Sequence, residues 1–516
     1  MKLEEKIQQI EPYSALLKSN TMGIEKEGLR VSRKGGLSQA PHPKAFGCAL
    51  THPNITTDFS ESLIELVTPP LVGADTTLDY LAKTQQYLYH HLPKDQSFWH
   101  SSMPCVIRGE TYIPIAQYGS SNRGKMKTVY RQGLANRYGS VMQTIAGIHF
   151  NYSFSQQFWQ AYQHSFASNV DIKRFVNRQY MALTRNVVRY GWIIPYLFGA
   201  SPAVCKSFLK GYHEHSLEEF NETTLFEPYA TSLRMGDIGY QNLREDEAGV
   251  KANYNSLNHY VHSLESAIQT SSPLYESIGV KKAGEYQQLN TNILQIENEY
   301  YASVRPKPPI NANLRPLNAL VKNGIDYIEI RSIDINPLTP LGIDQAQIHF
   351  LESFLLFCLL HDSALISTSE QFEIDTNDHV VAHKGRQPGV ALIRQSSKVL
   401  LKDWGLELGE EIIKCAKLFG KKHQSDVEQI IRRFDSPDLT PSAVIISEME
   451  NRNQGFFDYT NSCSKKYRRE FLSLPTDQQH FDFLDQQAKL SCEKQQRIEQ
   501  ADTLSFDDYL EQYFHE

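Results

Sequence analysis

The chain has 516 residues, 52 of them basic and 59 acidic, for a formal charge of −7. Hydrophobic residues make up 41% and charged residues 22%, near the globular average, which excludes a disordered, collagen-like or coiled-coil chain. The mildly acidic balance, with a pI of about 6.2, argues against a dedicated nucleic-acid binder but not against small anionic substrates held by local cations.

The opening residues, Met1 to Ile10, lack the apolar core of a signal peptide. Gly23–Val31 then alternates as a strand, and Glu61–Thr68 does the same. Leu78–Leu92 has helical spacing, Met142–Phe154 reads as a strand, and Phe158–Tyr190 holds two helices' worth of pattern. Leu257, Tyr260, Val261, Leu264, Ala267 and Ile268 form the buried stripe of one amphipathic helix. Ile293–Tyr301 and Tyr327–Ile333 read as strands, while Ile348–Leu360 and Val427–Phe434 read as helices. A terminal helix opens at Ser505, with Asp508 three residues on as in a capping box.

Strands separated by long helices, not by tight hairpins, predict an α+β fold whose sheet is assembled from distant stretches. No linker composition divides the chain, so residues 1–516 are expected to form one large unit. Its motif-bearing part runs from about residue 20 to 345, and a mostly helical part with little chemical signal from about 346 to 516. The most apolar stretches, Trp192–Phe198 and Phe354–Leu360, fall short of the about 20 residues of a membrane span, so no membrane partner is expected. Seven cysteines occur without any CxxC pair; each reads as a small buried apolar residue, in a reducing, cytoplasmic chain.

The chemistry lies on the strand faces. Period two sets Glu25 and Glu27 on one face of the first strand and Glu61, Glu65 and Val67 on one face of the second, with Asp58 just before it. Gln143, Ile145, Gly147, His149 and Asn151 align in the third, Gln295, Glu297, Glu299 and Tyr301 in the fourth, and Tyr327, Glu329 and Arg331 in the fifth. Strand acids are most often the wet face of an antiparallel sheet. Here, however, glutamate recurs where strands usually deplete it, beside Leu29, Leu63 and Val67, as in a lined cavity. Acids gathered in a cavity repel one another unless cations neutralise them. Hard oxygen ligands with one imidazole suit Mg²⁺ or Mn²⁺, with substrate phosphates completing the shell. Arg331 beside Glu329 then describes ATP-dependent phosphoryl transfer.

Other motifs carry less. Gly119-Ser-Ser-Asn-Arg-Gly124-Lys125 fits seven places of a P-loop, but Met126 stands where a hydroxyl should bind Mg²⁺ and no buried strand precedes it. A polar loop beside the substrate is expected instead. His213-Glu214-His215 lacks the helical spacing of a metal pair, and no GxSxG, HExxH or Rossmann fingerprint occurs.

Read as strings, these segments resemble the proteobacterial-type glutamate–cysteine ligases. The resemblance runs in order through Gly23 to Val31, Ile55 to Pro69, Gln117 to Asn122, Tyr130-Arg131, Gln143 to Asn151, Pro195 to Pro202, Tyr229 to Arg234, Leu294 to Glu299 and Tyr327 to Ser332. It implies a fold akin to the catalytic domain of glutamine synthetase, a curved, mainly antiparallel sheet forming a funnel with helices outside. It also implies coupling of the L-glutamate γ-carboxylate to the L-cysteine amine through a γ-glutamyl phosphate, with ATP and Mg²⁺ (Mn²⁺ able to substitute), as the first step of glutathione synthesis. By position, Glu25, Glu27, Asp58, Glu65, His149 and Glu329 are implied metal ligands, and Arg331 and Arg131 contact the transferred phosphate. Phe59, Tyr130, Leu134, Gln143, Arg234, Tyr240 and Tyr301 are implied for the amino-acid pocket, with Ile145 by the glutamate. The family acts on small molecules, and the chain is expected to be a monomer, with no room for an appended glycine-adding domain. Two alternatives are a glutamate ligase with another acceptor amine and a non-catalytic amino-acid or metal sensor on the same scaffold.

Overall fold

The computed structural model describes residues 2–166, 169–210, 215–239, 251–309 and 314–515. At its centre is an eight-stranded sheet. The strands are β1 (Thr21–Ser32), β2 (Ile55–Thr57), β3 (Leu63–Val67), β4 (Leu71–Val72), β5 (Gln96–Phe98), β6 (Ile148–Ser153), β7 (Val304–Lys307) and β8 (Tyr327–Ile333). Their order is β7-β8-β6-β1-β3-β2, with β4 and β5 pairing to the two ends of the long β1, and every pair is antiparallel. The sheet stays open, since its edges β7 and β2 do not pair with each other.

Helices cover the sheet. They include α1 (Ala74–His91), α2 (Asn122–Tyr138), α3 (Gln156–Ser165), α4 (Ile172–Tyr190) and α5 (Leu257–Gln269). Beyond β8 come α6 (Gln345–Leu360), α7 (Thr368–Lys384), α8 (Leu401–Phe419), α9 (Lys421–Ile431), α10 (Gln478–Ala501) and α11 (Phe506–His515). The α+β architecture with helices outside an antiparallel sheet is the one expected.

The helix α6 is buried on every side from Gln347 to Leu360, which is why its sequence shows no polar stripe. It packs against α4, α8 and α9. Close approach between α8 and the 3₁₀ turn that follows α9, Arg432–Phe434, depends on a glycine: a Cβ on Gly405 of α8 would lie 2.1 Å from the Phe434 ring. Phe434 fills that space and stacks on Tyr196 at 4.6 Å with rings nearly parallel.

Three readings need correction. Ile293–Tyr301 is not a strand; it is irregular, with a short 3₁₀ turn at Glu297–Glu299. Glu299 there accepts from the backbone N–H of Gln295 (2.6 Å), from Arg137 (2.9 Å) and from the Tyr138 hydroxyl (2.8 Å), and these side-chain bonds replace a ladder. Met142–Phe154 is a strand only from Ile148, because Met142–Thr144 forms a 3₁₀ turn. Cys48 and Cys492 are not lone buried thiols but are joined in a disulfide, with Cα atoms 5.0 Å apart; the other five cysteines are buried and free.

Candidate active site

The register of the sheet brings the acids together. Glu25 lies opposite His149 across β1 and β6, Glu27 opposite Glu65 across β1 and β3, and Glu329 opposite Asn151 across β8 and β6. Period two then sends all of these side chains to one face. His149 Nδ1 is 3.1 Å from Glu25 and 3.6 Å from Glu329, and its Nε2 is 3.9 Å from Glu27. Asn151 donates to the second oxygen of Glu25 at 2.8 Å, and the Gly147 N–H donates to Glu27 at 2.7 Å. Asp58 enters from the turn between β2 and β3.

Burial acts on these acids unequally. It pushes the Glu65 carboxyl well above the usual range, and the neighbouring Glu25, Asp58 and Glu27 push it further. Burial likewise raises Glu27, against the pull of His149. Glu25 is half-buried and Glu329 fully buried, yet their cationic neighbours prevail. The hydrogen bond from His149 holds Glu25 down, and Lys307 and Arg331 hold Glu329 down. The cluster therefore has one acid end short of positive charge.

A divalent cation fits beside His149, next to that end. Glu25, His149 and Glu329 each offer a ligand atom, all within 4.8 Å of one another. Glu329 Oε2 is buried without a hydrogen-bond partner, and Lys307 Nζ is 3.4 Å away. Carboxylates with a single imidazole are a donor set for Mg²⁺ or Mn²⁺.

Arginines line the same face. Pairing between β8 and β6 shifts register between Ile330 and Ile333, and the Arg331 N–H bonds instead to Ser303 at 2.8 Å. Irregularities of this kind re-aim side chains next to sites. The Arg331 guanidinium donates to Glu329 at 3.2 Å. Arg131, on α2, bonds through Nε to the Asp58 carbonyl and stacks 4.7 Å over the Tyr118 ring. Arg234 is fully buried and donates to the Arg331 carbonyl at 2.8 Å. It crosses Gly147 so closely that a Cβ there would lie 2.2 Å from its guanidinium. Asp334, 3.6 Å from Arg234, also accepts from the Ala200 N–H (2.8 Å) and the Ser232 hydroxyl (3.0 Å). One carboxylate thereby fastens three sequence blocks around Arg234.

The face opens into a cavity of about 360 Å³. Glu25, Glu27, Asp58, Glu65, His149 and Glu329 line it, as do Arg131, Arg234 and Arg331. Phe59, Tyr130, Leu134, Gln143 and Tyr301 form much of the remaining wall. Ile145 is fully buried and is not among the residues that line the cavity, and Tyr240 lies outside the described residues, as do His213 and Glu214. Glu61, expected on the same strand face as Glu65, instead precedes β3 and accepts from the backbone N–H groups of His42 and Gln117.

Sequence reasoning missed three cations of this wall: Lys127, Arg305 and Lys307. Burial, with Arg131 nearby, pushes the Lys127 ammonium down to about 8. Arg305 and Lys307 share the face of Glu329, Arg305 lying directly opposite it. Their i, i+2 spacing was the available signal, masked by Pro306 between them. Proline is tolerated in β7 because β7 is an edge strand.

The Gly119–Lys125 loop is no phosphate cradle. Ser121 caps α2, accepting from Gly124 N–H at 3.1 Å, and two further N–H groups of the segment meet acids of the C-terminal region. Ser120 donates to Glu499 at 2.8 Å, and Asn122 donates to Asp502.

Comparison with known proteins agrees with this geometry. The family model described as glutamate–cysteine ligase matches residues 6–381. A glutamate–cysteine ligase of Alcanivorax borkumensis is 44% identical over 517 residues, covering 98% of this chain and 97% of the relative. That of Hahella chejuensis is 43% identical over 500 residues, covering 95% and 94%. The crystal structure of glutamate–cysteine ligase from Francisella tularensis in complex with AMP superposes with a TM-score of 0.90 at 34% identity, over 96% of this chain and 97% of that one. A bifunctional glutathione synthetase from Pasteurella multocida shares the fold, with a TM-score of 0.72 at 22% identity over 93% of this chain and 57% of that one.

Proposed function

The chain belongs to the glutamate–cysteine ligase family, and from that premise we propose how its pocket makes γ-glutamylcysteine from L-glutamate, L-cysteine and ATP. The observation that carries the assignment of residues is the meeting of Glu25, Glu27, Asp58, Glu65, His149 and Glu329 with Arg331 in one cavity. These six side chains hold Mg²⁺, with Mn²⁺ able to substitute, and the bound cations offset the phosphate charge of ATP. Short of cations by itself, the Glu65 end is where such charge is needed most.

The γ-carboxylate of glutamate is a poor acyl donor, so its oxygen first takes the γ-phosphoryl group of ATP and ADP departs. Arg331 lies beside Glu329 to stabilise the moving phosphoryl charge, and Arg131 reaches it from α2. Lys307 and Arg305, on the same strand face, add positive charge on that side. The cysteine amine then attacks the acyl carbon, the new C–N bond forms, the C–O bond to phosphate breaks, and the nitrogen gives up its extra proton to the departing phosphate or to water. Arg234, Phe59, Tyr130, Leu134, Gln143, Tyr240 and Tyr301 position the amino acids, chiefly the cysteine, while Ile145 backs the glutamate side. Holding the amine at the acyl carbon is mainly an orientation effect.

The chain works as one unit and as a monomer in the cytoplasm, in keeping with a match that covers nearly its whole length. Among the described residues no helix is long and apolar enough to cross a membrane. The test is ADP release by the purified protein with ATP, Mg²⁺, L-glutamate and a panel of amines. Release is expected to depend on cysteine and to stop when EDTA removes the metal. Equal rates with cysteine and unrelated amines would overturn the assignment of the acceptor pocket, and EDTA-insensitive turnover would overturn the metal assignment.

A further inference from the structure

Outside the pocket, a second group of ligand-bearing side chains meets on α7. His379 and His383 are four residues apart on that helix, so they share a face, and their ring centroids are 4.6 Å apart. Asp237, in the loop that follows Arg234, brings a carboxylate oxygen 3.1 Å from His383 Nε2. The three ligand atoms all lie within 4.8 Å of one another. None of these residues lines the catalytic cavity.

Independent features orient the set. His383 is buried, and its Nδ1 bonds to Glu227 at 2.8 Å. The other oxygen of Glu227 accepts from the Ser216 hydroxyl at 2.7 Å. A carboxylate on the far ring nitrogen is the usual support of a metal-binding histidine: it fixes the ring and the tautomer and leaves the near nitrogen as the donor. Nε2 itself faces both the Asp237 N–H, at 3.3 Å, and the Asp237 carboxylate oxygen, at 3.1 Å. Gly236 permits the approach, since a Cβ there would sit 2.4 Å from that nitrogen. Asp237 and His379 are exposed, so the group is open to solvent on one side.

We infer that Asp237, His379 and His383 form a second metal site, for a borderline first-row cation, Zn²⁺ above all. Two imidazoles and one carboxylate are the three-ligand set of tetrahedral zinc, with water in the fourth place. Mg²⁺ prefers oxygen ligands and keeps several of its waters, so the catalytic metal does not compete well here. A cation at this place ties the loop bearing Arg234 to α7. The site stands independently of the roles proposed for the pocket.

The test uses the full-length enzyme, stripped with EDTA and then given excess Mg²⁺ to fill the carboxylate pocket. Calorimetric titration with Zn²⁺ is expected to show one site per chain, and Co²⁺ in its place is expected to give the visible absorption of a tetrahedral complex. His379→Ala, at an exposed position, should keep the fold and weaken this binding at least tenfold, and Asp237→Asn should weaken it as well. Circular dichroism checks that both variants remain folded. Zn²⁺ binding equal in the parent and in His379→Ala, or absent from the parent, would overturn the site.

Discussion

Buried charge is handled differently in the sheet and in the helices beyond Gln345. In the helical region Glu352 and Asp426 are buried, but each is closed off locally. His423 meets Glu352 at 2.9 Å, while His349 and Lys422 each meet Asp426 at 2.7 Å. Most of the remaining burial there is apolar, as in α6. In the sheet, Glu27 and Glu65 are gathered with too few cations, and burial drives both carboxyls upward. A buried charge with its partner in place serves architecture. A set of buried charges lacking part of its counter-charge marks where substrate and metal complete the structure.

If that contrast is right, the two regions should fail in opposite ways. Glu329→Gln removes a ligand oxygen's charge while nearly conserving volume, so turnover should fall by at least about a thousandfold, the loss of several kcal/mol of charge stabilisation. The urea midpoint should stay near that of the parent. Retained turnover would remove Glu329 from the metal set. Phe434→Ala tests the other side. It empties the space that Gly405 leaves for the ring, and such a change typically costs about 3–5 kcal/mol of stability. Turnover and KM measured below the unfolding range should stay unchanged. Loss of turnover without loss of stability would show that the helical region feeds the site directly.

The same contrast explains how much of the molecule its sequence reveals. β1, β3 and β8 were legible because acids alternate with apolar residues, a pattern only a half-buried strand face sustains. The pocket acids and Arg331 were legible for the same reason, since glutamate is unusual in strands. β7 was hidden by Pro306, and with it went Arg305 and Lys307. Ile293–Tyr301 alternates as well as any true strand does. Its outcome was set by Glu299, whose partners Arg137 and Tyr138 come from α2 and are invisible to a local pattern. Cys48 and Cys492 are 444 residues apart, and spacing cannot pair cysteines at that distance. His379 and His383 could be seen as a helical pair in the sequence. Asp237, which gives the pair a third ligand, is supplied only by the fold.

The smallest effect is expected where the two regions touch. α2 carries Tyr130, Arg131 and Leu134 into the pocket, and the N–H groups of Ser120, just before it, and of Asn122, its first residue, meet Glu499 and Asp502 from the C-terminal region. Acids near a helix N-terminus satisfy open donors and oppose the helix dipole. Farther along α2, Met126 packs against Leu289 and Leu510 of α11. The C-terminal region therefore supports the wall of the pocket, and none of its described residues lines the cavity. Asp502→Ala removes one such contact, so stability should fall by about 1 kcal/mol, as for the loss of a helix cap. On the roles proposed for Tyr130, Arg131 and Leu134, KM for an amino acid should rise a few-fold while kcat stays within about twofold. Titrating glutamate and cysteine separately identifies which substrate feels the change. Unchanged stability together with unchanged KM for both would detach α2 from the C-terminal region and leave the pocket to stand on the sheet alone.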